Sequence, residues 1–465
     1  MIDFAPGSYR DRDARVFLDS QGEVWRGLSP QAWETWTRFD QRPLSRQLRE
    51  DGLLIGSLSE TPLEQPPGEW SGYLHHERIP LVTYPFEWPF GMLKRAAQLH
   101  LQLMTRLLEA NYTLKDGTAY NVQFRGVEPV FIDVASIEDL DATKPWAGYR
   151  QFCQTMLFPL MLQAYKQVPF HPWLRGRLDG ITPTECSQLM SLRDLFRRGV
   201  WSHVKLHSWL DSSVAANSSS SRKPVMSFNR EMLAANIRGL SKLVDGLDWK
   251  AARSEWSEYE GTHSYSPEDR QRKEQFVRRH LARQPRSQVW DLGCNTGTFS
   301  RIAAEHAELV IAMDADHLSV ERLFRSLQTT PAISPSRITP LVWNVADQIG
   351  GLGWRGRERT SLPQRGKPDV VLCLALIHHW VISCGIPMLE VLEWLASLGA
   401  ELIIEFVAPN DTMAADLLKR RTGGCPDYQW DHFHHEIQRR FEIHDTLSLC
   451  EGRRTLVQAT PRSVP

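Results

Sequence analysis

Val289-Trp290-Asp291-Leu292-Gly293-Cys294-Asn295-Thr296-Gly297-Thr298-Phe299 is the stretch that decides the fold. A short apolar run ends at an acid and opens into a glycine-bracketed turn, and a helical stretch follows. A second apolar run, Leu309 to Met313, ends at Asp314. Strand, glycine turn, helix, strand, acid is the unit that holds a nucleoside-containing cofactor at the carboxyl edge of a parallel sheet. Glycines let backbone approach the ligand, and the acid accepts hydrogen bonds from ribose hydroxyls. A dinucleotide fingerprint requires Gly at its first, third and sixth positions. Counted from Gly293, the third is Asn295 and the sixth is Thr298, so the glycine that admits a pyrophosphate is missing. No G-x-x-x-x-G-K-[ST] phosphate loop occurs either.

The string Asp291-Leu292-Gly293-Cys294-Asn295-Thr296-Gly297 resembles motif I of the class I S-adenosylmethionine-dependent methyltransferases, D-x-G-x-G-x-G. Asn295 replaces the middle glycine, and Asn is the side chain that best tolerates positive φ. The alternative is a buried βα turn of some other α/β protein. Further apolar runs appear in that family's order. Leu341-Val342-Trp343-Asn344-Val345 reads as a third strand before Asp347, Asp369 to His379 as the fourth, and Glu401 to Val407 as the fifth. Phe441 to Leu449 and Arg454 to Ala459 read as a closing hairpin, with helices expected at Val320–Leu327 and Pro387–Leu398. Nearly continuous apolar strands are those of a sheet covered on both faces. The expected fold class is therefore α/β, with a Rossmann-like seven-stranded methyltransferase sheet over residues 245–465 and an α+β domain before it. The resemblance implies S-adenosyl-L-methionine held by Asp291, Gly293, Asn295, Gly297, Asp314 and Asp347, with Asp314 at the ribose and Asp347 at the adenine amino group.

Composition bounds the rest. A chain of 465 residues should hold two or three domains. Its 54 Lys+Arg balance 55 Asp+Glu, which argues against nonspecific binding of nucleic acid or membrane. There is no transmembrane-length apolar run, and the N-terminus lacks a signal-peptide core. The seven cysteines form no C-x-x-C pair, as expected of reduced thiols in a cytoplasm. The 17 tryptophans read as large cores and interdomain contacts, with ligand stacking by a few of them as the alternative. A Ser-rich linker, Asp211 to Pro224, lies between helical candidates at Cys186–Arg198 and Asn229–Val244. The expected organisation is an N-terminal domain over 1–210, a linker and helix over 211–244, and the cofactor domain over 245–465.

The N-terminal half carries a second constellation. Gly91 to Asn111 has helical apolar spacing. Asp116 and Asn121 follow in a polar loop, and Asp133 ends the run Pro129-Val130-Phe131-Ile132. This resembles the catalytic loop (D-x-x-x-x-N) and metal-binding Asp of protein-kinase-like phosphotransferases. It implies a nucleotide and Mg²⁺ site, ATP with its metal, at Asp116, Asn121 and Asp133. The pattern departs in several ways. No H-R-D triplet precedes the loop, Val134-Ala135 replaces Phe-Gly, and no lysine occurs before Lys94. A hairpin around Asp19-Ser20-Gln21-Gly22 is the one candidate for a reduced N-lobe. A hairpin with ordinary turn carboxylates, a degenerate kinase-like fold and an active kinase stay open. The whole chain is also similar to a group of bacterial proteins described as methyltransferases or as nodulation-related. That likeness rests on Leu114 to Ser136, Arg150-Gln151-Phe152, Ala375 to His379, and Glu405-Phe406-Val407 with Asp411.

Methyl transfer is a displacement at a sulfonium carbon, and it needs positioning and often a base. His378 and His379 follow the fourth strand where the acceptor should lie, and Glu405 ends the fifth. Each also has a structural alternative, packing for the histidines and an ion pair for Glu405. Gly350 to Lys367 is a candidate acceptor lid, and Tyr259 and Tyr265 are candidates to close over the cofactor. Cys294 reads as small packing. The expected partner is a small-molecule, saccharide-like or peptide-like acceptor. No nucleic-acid partner is expected, since the chain has no basic tract and no N-P-P-Y signature. The competing function is a scaffold or regulator whose kinase-like half binds a partner while the cofactor domain only senses. A bifunctional kinase–methyltransferase is the third.

Overall fold

The computed structural model of the chain describes residues 4–209, 229–250, 265–329 and 337–462. The Ser-rich segment 211–224 and Tyr259 lie outside them. The chain divides into two compact units. The first comprises Met1–Phe124, Glu128–Ala251 and Gly351–Arg359. The second comprises Arg125–Val127, Ala252–Gly350 and Thr360–Pro465.

The first unit begins with strands β1 (Ala14–Leu18) and β2 (Val24–Leu28), joined at the Asp19–Gly22 turn as the hairpin signal predicts. Asp19 Oδ1 accepts the N–H groups of Gln21 and Glu23, which closes that turn. With β3 (Ser57–Ser59) and β4 (Gly72–His76) they form an antiparallel sheet in the order β1-β2-β4-β3. The long helix Phe90–Glu109 follows, buried along the apolar stripe its spacing predicts. Two short antiparallel pairs come next: β5 (Tyr112–Leu114) with β8 (Ile137–Asp139), and β6 (Val122–Arg125) with β7 (Glu128–Phe131). The helix expected over Cys186–Arg198 is instead broken. A capping box of Thr182 and Glu185 starts a helix at Pro183 that ends at Leu189, and Ser191 then caps a separate 3-10 turn, Leu192–Phe196. A second N-cap inside the window competes with continuing the helix.

The second unit is a seven-stranded sheet. Its strands are β9 (Arg286–Leu292), β10 (Ala307–Asp314), β11 (Ile338–Val342), β12 (Val370–Cys373), β13 (Glu401–Val407), β14 (Phe441–Leu449) and β15 (Arg454–Pro461). The order is β11-β10-β9-β12-β13-β15-β14. β9 to β13 run parallel, and β15 pairs antiparallel with both β13 and β14. The central strands are buried almost throughout, whereas edge strand β14 alternates, as an antiparallel edge with one wet face should. Chain order reverses between β9 and β12, and this switch point is where an open α/β sheet binds its ligand.

Two strand boundaries differ from expectation. The third strand lies three residues earlier, at Ile338–Val342. Trp343 N–H bonds back to Asp314 O, and Asn344 caps a short turn over Val345–Asp347. The fourth stops at Cys373, because Ala375 takes a positive φ of 51° and a helical turn starts at Ile377.

Candidate functional site

The glycine turn follows β9 directly. Gly293, Asn295 and Gly297 all have positive φ, at 73°, 48° and 86°. A Cβ at Gly297 would strike the Leu323 side chain at 2.4 Å, and one at Gly293 would crowd Leu376 beyond β12. Glycine is therefore required at these two positions for conformation and for space, while Asn295 tolerates its left-handed backbone. The turn is anchored at Met313 O, which accepts the N–H groups of Gly293 and Cys294. Asp314 accepts Asn295 N–H on Oδ2 at 2.9 Å and Asp316 N–H on Oδ1 at 2.8 Å. Each carboxylate oxygen keeps a lone pair, so Asp314 is held rigid and can still accept two hydroxyls. Asp291 is buried and accepts Ser300 Oγ at 2.5 Å. Burial pushes its carboxyl up to about 6, aided by the Asp314 charge and opposed by Ser300. Asp347 is exposed in the turn after β11. Cys294 is buried and its thiol is raised by burial, as inert packing requires.

Beyond β12, His378 and His379 enter a π-helical turn, their rings 4.0 Å apart. Such turns interrupt the regular helix ladder and recur at functional sites. His378 is 1% exposed, and neither ring nitrogen has a hydrogen-bond partner. Burial pulls its pKa well below the usual histidine value, and His379, Arg454 and Lys273 pull it further. His379 is lowered to about 4 by burial. Both imidazoles are neutral at pH 7, so each carries one N–H and one lone pair.

Glu405, at 0% exposure, is taken up by an ion network. Its Oε2 accepts Lys273 Nζ at 2.7 Å, and its Oε1 accepts the Tyr265 hydroxyl. Lys273 also donates to Tyr265 at 3.0 Å, and Arg454 Nη1 does so at 2.8 Å. Arg454 grips Asp411 with Nε and Nη2 at 2.8 and 3.1 Å. Burial pushes the Glu405 carboxyl up, but the Lys273 and Arg454 charges and the two donors outweigh it and hold it below the ordinary value. Two cations and two carboxylates cancel, which is how a protein tolerates buried charge. Lys273 Nζ also lies 4.9 Å from the Phe299 ring, which ties the network to the glycine turn. Glu405 is not at the strand end, as expected from the sequence: β13 runs two residues further to Val407, and both Glu405 oxygens are engaged inside the protein.

In the first unit, Asn121 and Asp133 meet: Asn121 Nδ2 donates to Asp133 Oδ2 at 3.1 Å. Asp116 is close enough that Asp133 helps raise its pKa, although burial is the larger cause. The residue that completes the cluster is Arg26 of β2. It is 7% exposed, with Nη1 2.7 Å from Asp133 Oδ1 and Nη2 donating to Ile132 O. Its Nε faces His76 Nε2 at 3.3 Å, and His76 Nδ1 meets Ser57 Oγ at 2.8 Å. Facing a permanent donor, His76 Nε2 must present its lone pair. Nδ1 therefore carries the proton, and His76 cannot draw a proton from Ser57. The cluster does not fit a resident Mg²⁺. A divalent cation needs open oxygens, whereas one Asp133 oxygen faces a guanidinium and the other an amide N–H. Among the described residues no group of three or more His, Cys, Asp or Glu side chains is arranged to hold a metal.

The chain is 33% identical over 462 residues to nodulation protein NoeA of Rhizobium meliloti (strain 1021), covering 97% of this chain and 94% of that one. The chain belongs to the NoeA family. Among solved structures it is similar to the N-methyltransferase NodS of Bradyrhizobium japonicum WM9 in complex with S-adenosyl-L-homocysteine. The identity is 11%, covering 43% of this chain and 89% of that one, with a TM-score of 0.32. It is also similar to magnesium protoporphyrin IX methyltransferase (ChlM) of Synechocystis PCC 6803 with the same bound product. There the identity is 22%, covering 44% and 92%, with a TM-score of 0.31. Likenesses this weak decide nothing, and the strand order itself carries the fold. No family model matches the chain.

In this NoeA-family chain, sequence reasoning places the turn, Asp314 and the His pair, and misses Lys273, Arg454 and Arg26. Lys273 lies 132 residues from Glu405, and Arg26 lies 107 from Asp133. No local spacing announces such pairs. The one usable signal for Arg26 is a lone Arg in a β-strand of largely apolar character, with no lysine upstream of Lys94.

Proposed function

We propose that the second unit is an S-adenosyl-L-methionine-dependent methyltransferase acting on a small-molecule acceptor, saccharide-like or peptide-like in character. The carrying observation is Asp314, pinned by two backbone N–H groups at the switch point, with lone pairs left for ribose hydroxyls. The turn fits the cofactor. Asn295 Oδ1 is buried without a partner, and Gly293 and Gly297 open the backbone approach. Asp291, Gly293, Asn295, Gly297 and Asp314 would hold it, with Asp347 beside the base. Bound there, the cofactor supplies an electrophilic methyl group. The chain's own part is to position the acceptor and manage its proton. His378 is the group we assign to the acceptor. Its neutral imidazole can accept the acceptor's N–H or O–H, but its depressed pKa makes it an orienting partner more than a strong base. His379 packs against it, and Glu405 fixes the floor through Lys273, Tyr265 and Arg454.

Calorimetry on the full chain tests this directly. S-adenosyl-L-homocysteine should bind at one site, and NADH should not. Binding of NADH with indifference to S-adenosyl-L-homocysteine defeats the reading. A methyl-label transfer screen over fractionated extract, with and without ATP, then finds the acceptor. Cofactor binding without turnover on any fraction would favour the scaffold or sensor alternative. Phosphotransfer by the first unit is the reading we do not favour, because Arg26 stands against Asp133 where a metal would be needed. Among the described residues no cysteine is in a disulfide, and no helix is long and apolar enough to cross a membrane. We place the protein in the cytoplasm.

A further inference from the structure

A second buried cation in the first unit, Arg359, keeps donor nitrogens without hydrogen-bond partners. Arg359 pairs with Leu352 in an isolated antiparallel bridge and is 6% exposed. Its guanidinium lies over the Tyr120 ring, 5.8 Å from the centroid. Neither Nε nor Nη1 has a hydrogen-bond partner, and the Tyr120 hydroxyl, also buried, has none. The carboxylates that shape this corner are committed elsewhere. Glu358 accepts Arg10 Nε, Arg10 Nη2 at 3.1 Å and Trp354 N–H at 2.6 Å. Glu87, whose charge also reaches Tyr120, accepts Tyr84 N–H at 2.8 Å.

A guanidinium cannot shed its proton to escape burial. Leaving its donors unpaired out of water costs the folded state heavily, and so does leaving a phenol unpaired. Folds keep such groups where a ligand supplies the missing acceptor, accepting lower stability for function. The planar guanidinium matches the oxygens of phosphate and carboxylate. Burial raises the Tyr120 phenol far above neutrality, so it stays a donor. We propose that Arg359, with the Tyr120 hydroxyl as second donor, binds an oxyanion group, phosphate or carboxylate, of a ligand taken by the first unit. This does not depend on the methyltransferase reading, since the group recognised contains no nucleoside.

The test uses the full chain at low ionic strength, titrated with inorganic phosphate, pyrophosphate, acetate and succinate, and read by calorimetry and melting temperature. At least one probe should bind saturably. The phosphate and carboxylate arms identify the source. Arg359→Gln should weaken that probe tenfold or more, and Tyr120→Phe, which removes one hydroxyl and no charge, about threefold or more. In buffer free of oxyanions, Arg359→Gln should melt no lower than wild type, because it removes a buried guanidinium with two nitrogens that lack hydrogen-bond partners. A merely structural arginine predicts the reverse. The proposal is overturned if no probe binds wild type, if both variants keep wild-type affinity, or if Arg359→Gln melts several degrees lower without oxyanions.

Discussion

Arg26 Nη1 sits 2.7 Å from Asp133 Oδ1, a buried ion pair that fastens the N-terminal antiparallel sheet to the loop after β7. It places a fixed organic cation where the kinase resemblance calls for a metal. Breaking such a pair from one side strands the other charge. Asp133→Asn should therefore cost about 3–5 kcal/mol of stability, measured by urea unfolding, and millimolar Mg²⁺ should not shift the wild-type curve. A variant as stable as wild type, or wild-type stabilisation by Mg²⁺ that Asp133→Asn abolishes, would show that Arg26 does not replace the metal.

Asp314 gives the cofactor reading its magnitude. Asp314→Ala should weaken S-adenosyl-L-homocysteine binding by about 1.5–3 kcal/mol, the worth of hydrogen bonds to a charged group. The circular dichroism spectrum should stay native. Unchanged affinity in a folded variant removes Asp314 from the site.

Asp291 carries a pH signature. Its folded pKa is raised to about 6 by burial, above the ordinary Asp value. An acid raised on folding favours the native state at low pH, and this advantage is lost as pH climbs toward 6. Asp291→Asn keeps a neutral group that Ser300 can still meet. Relative to wild type it should gain stability between about pH 4 and pH 6 and hold a gain of up to about 3 kcal/mol at pH 8. Paired denaturation curves at pH 4 and pH 8 decide it. A variant that loses stability at pH 8 contradicts the assignment.

His378 separates binding from chemistry. Neither of its ring nitrogens makes a hydrogen bond in the folded chain. His378→Leu should therefore leave the melting temperature level or higher and S-adenosyl-L-homocysteine affinity within about twofold, while removing a neutral hydrogen-bond acceptor worth roughly 1 kcal/mol or more to the acceptor complex. Methyl label transfer to whichever extract fraction wild type modifies should fall. A variant that transfers label at the wild-type rate excludes His378 from the acceptor site.

Local chemistry made the cofactor sheet legible in the sequence. Buried parallel strands read as apolar runs, β13 falls at Glu401–Val407 as read, and the positive φ values of Gly293, Asn295 and Gly297 follow from residue type alone. The sequence also marks Asp314, the last residue of β10, and the His pair, which follows the apolar run that contains β12. Only the tertiary structure decided what those groups do. Whether Glu405 is free or paired depends on Lys273 and Arg454, which arrive from an earlier helix and from the last strand. Whether Asp133 is open to a metal depends on Arg26, and whether Arg359 is solvated or stranded depends on a fold that buries it beside Tyr120. Strand and turn formation is set by neighbours in the chain. The charge state and vacancy of a buried side chain are set by groups a hundred residues away, and no spacing rule carries that distance.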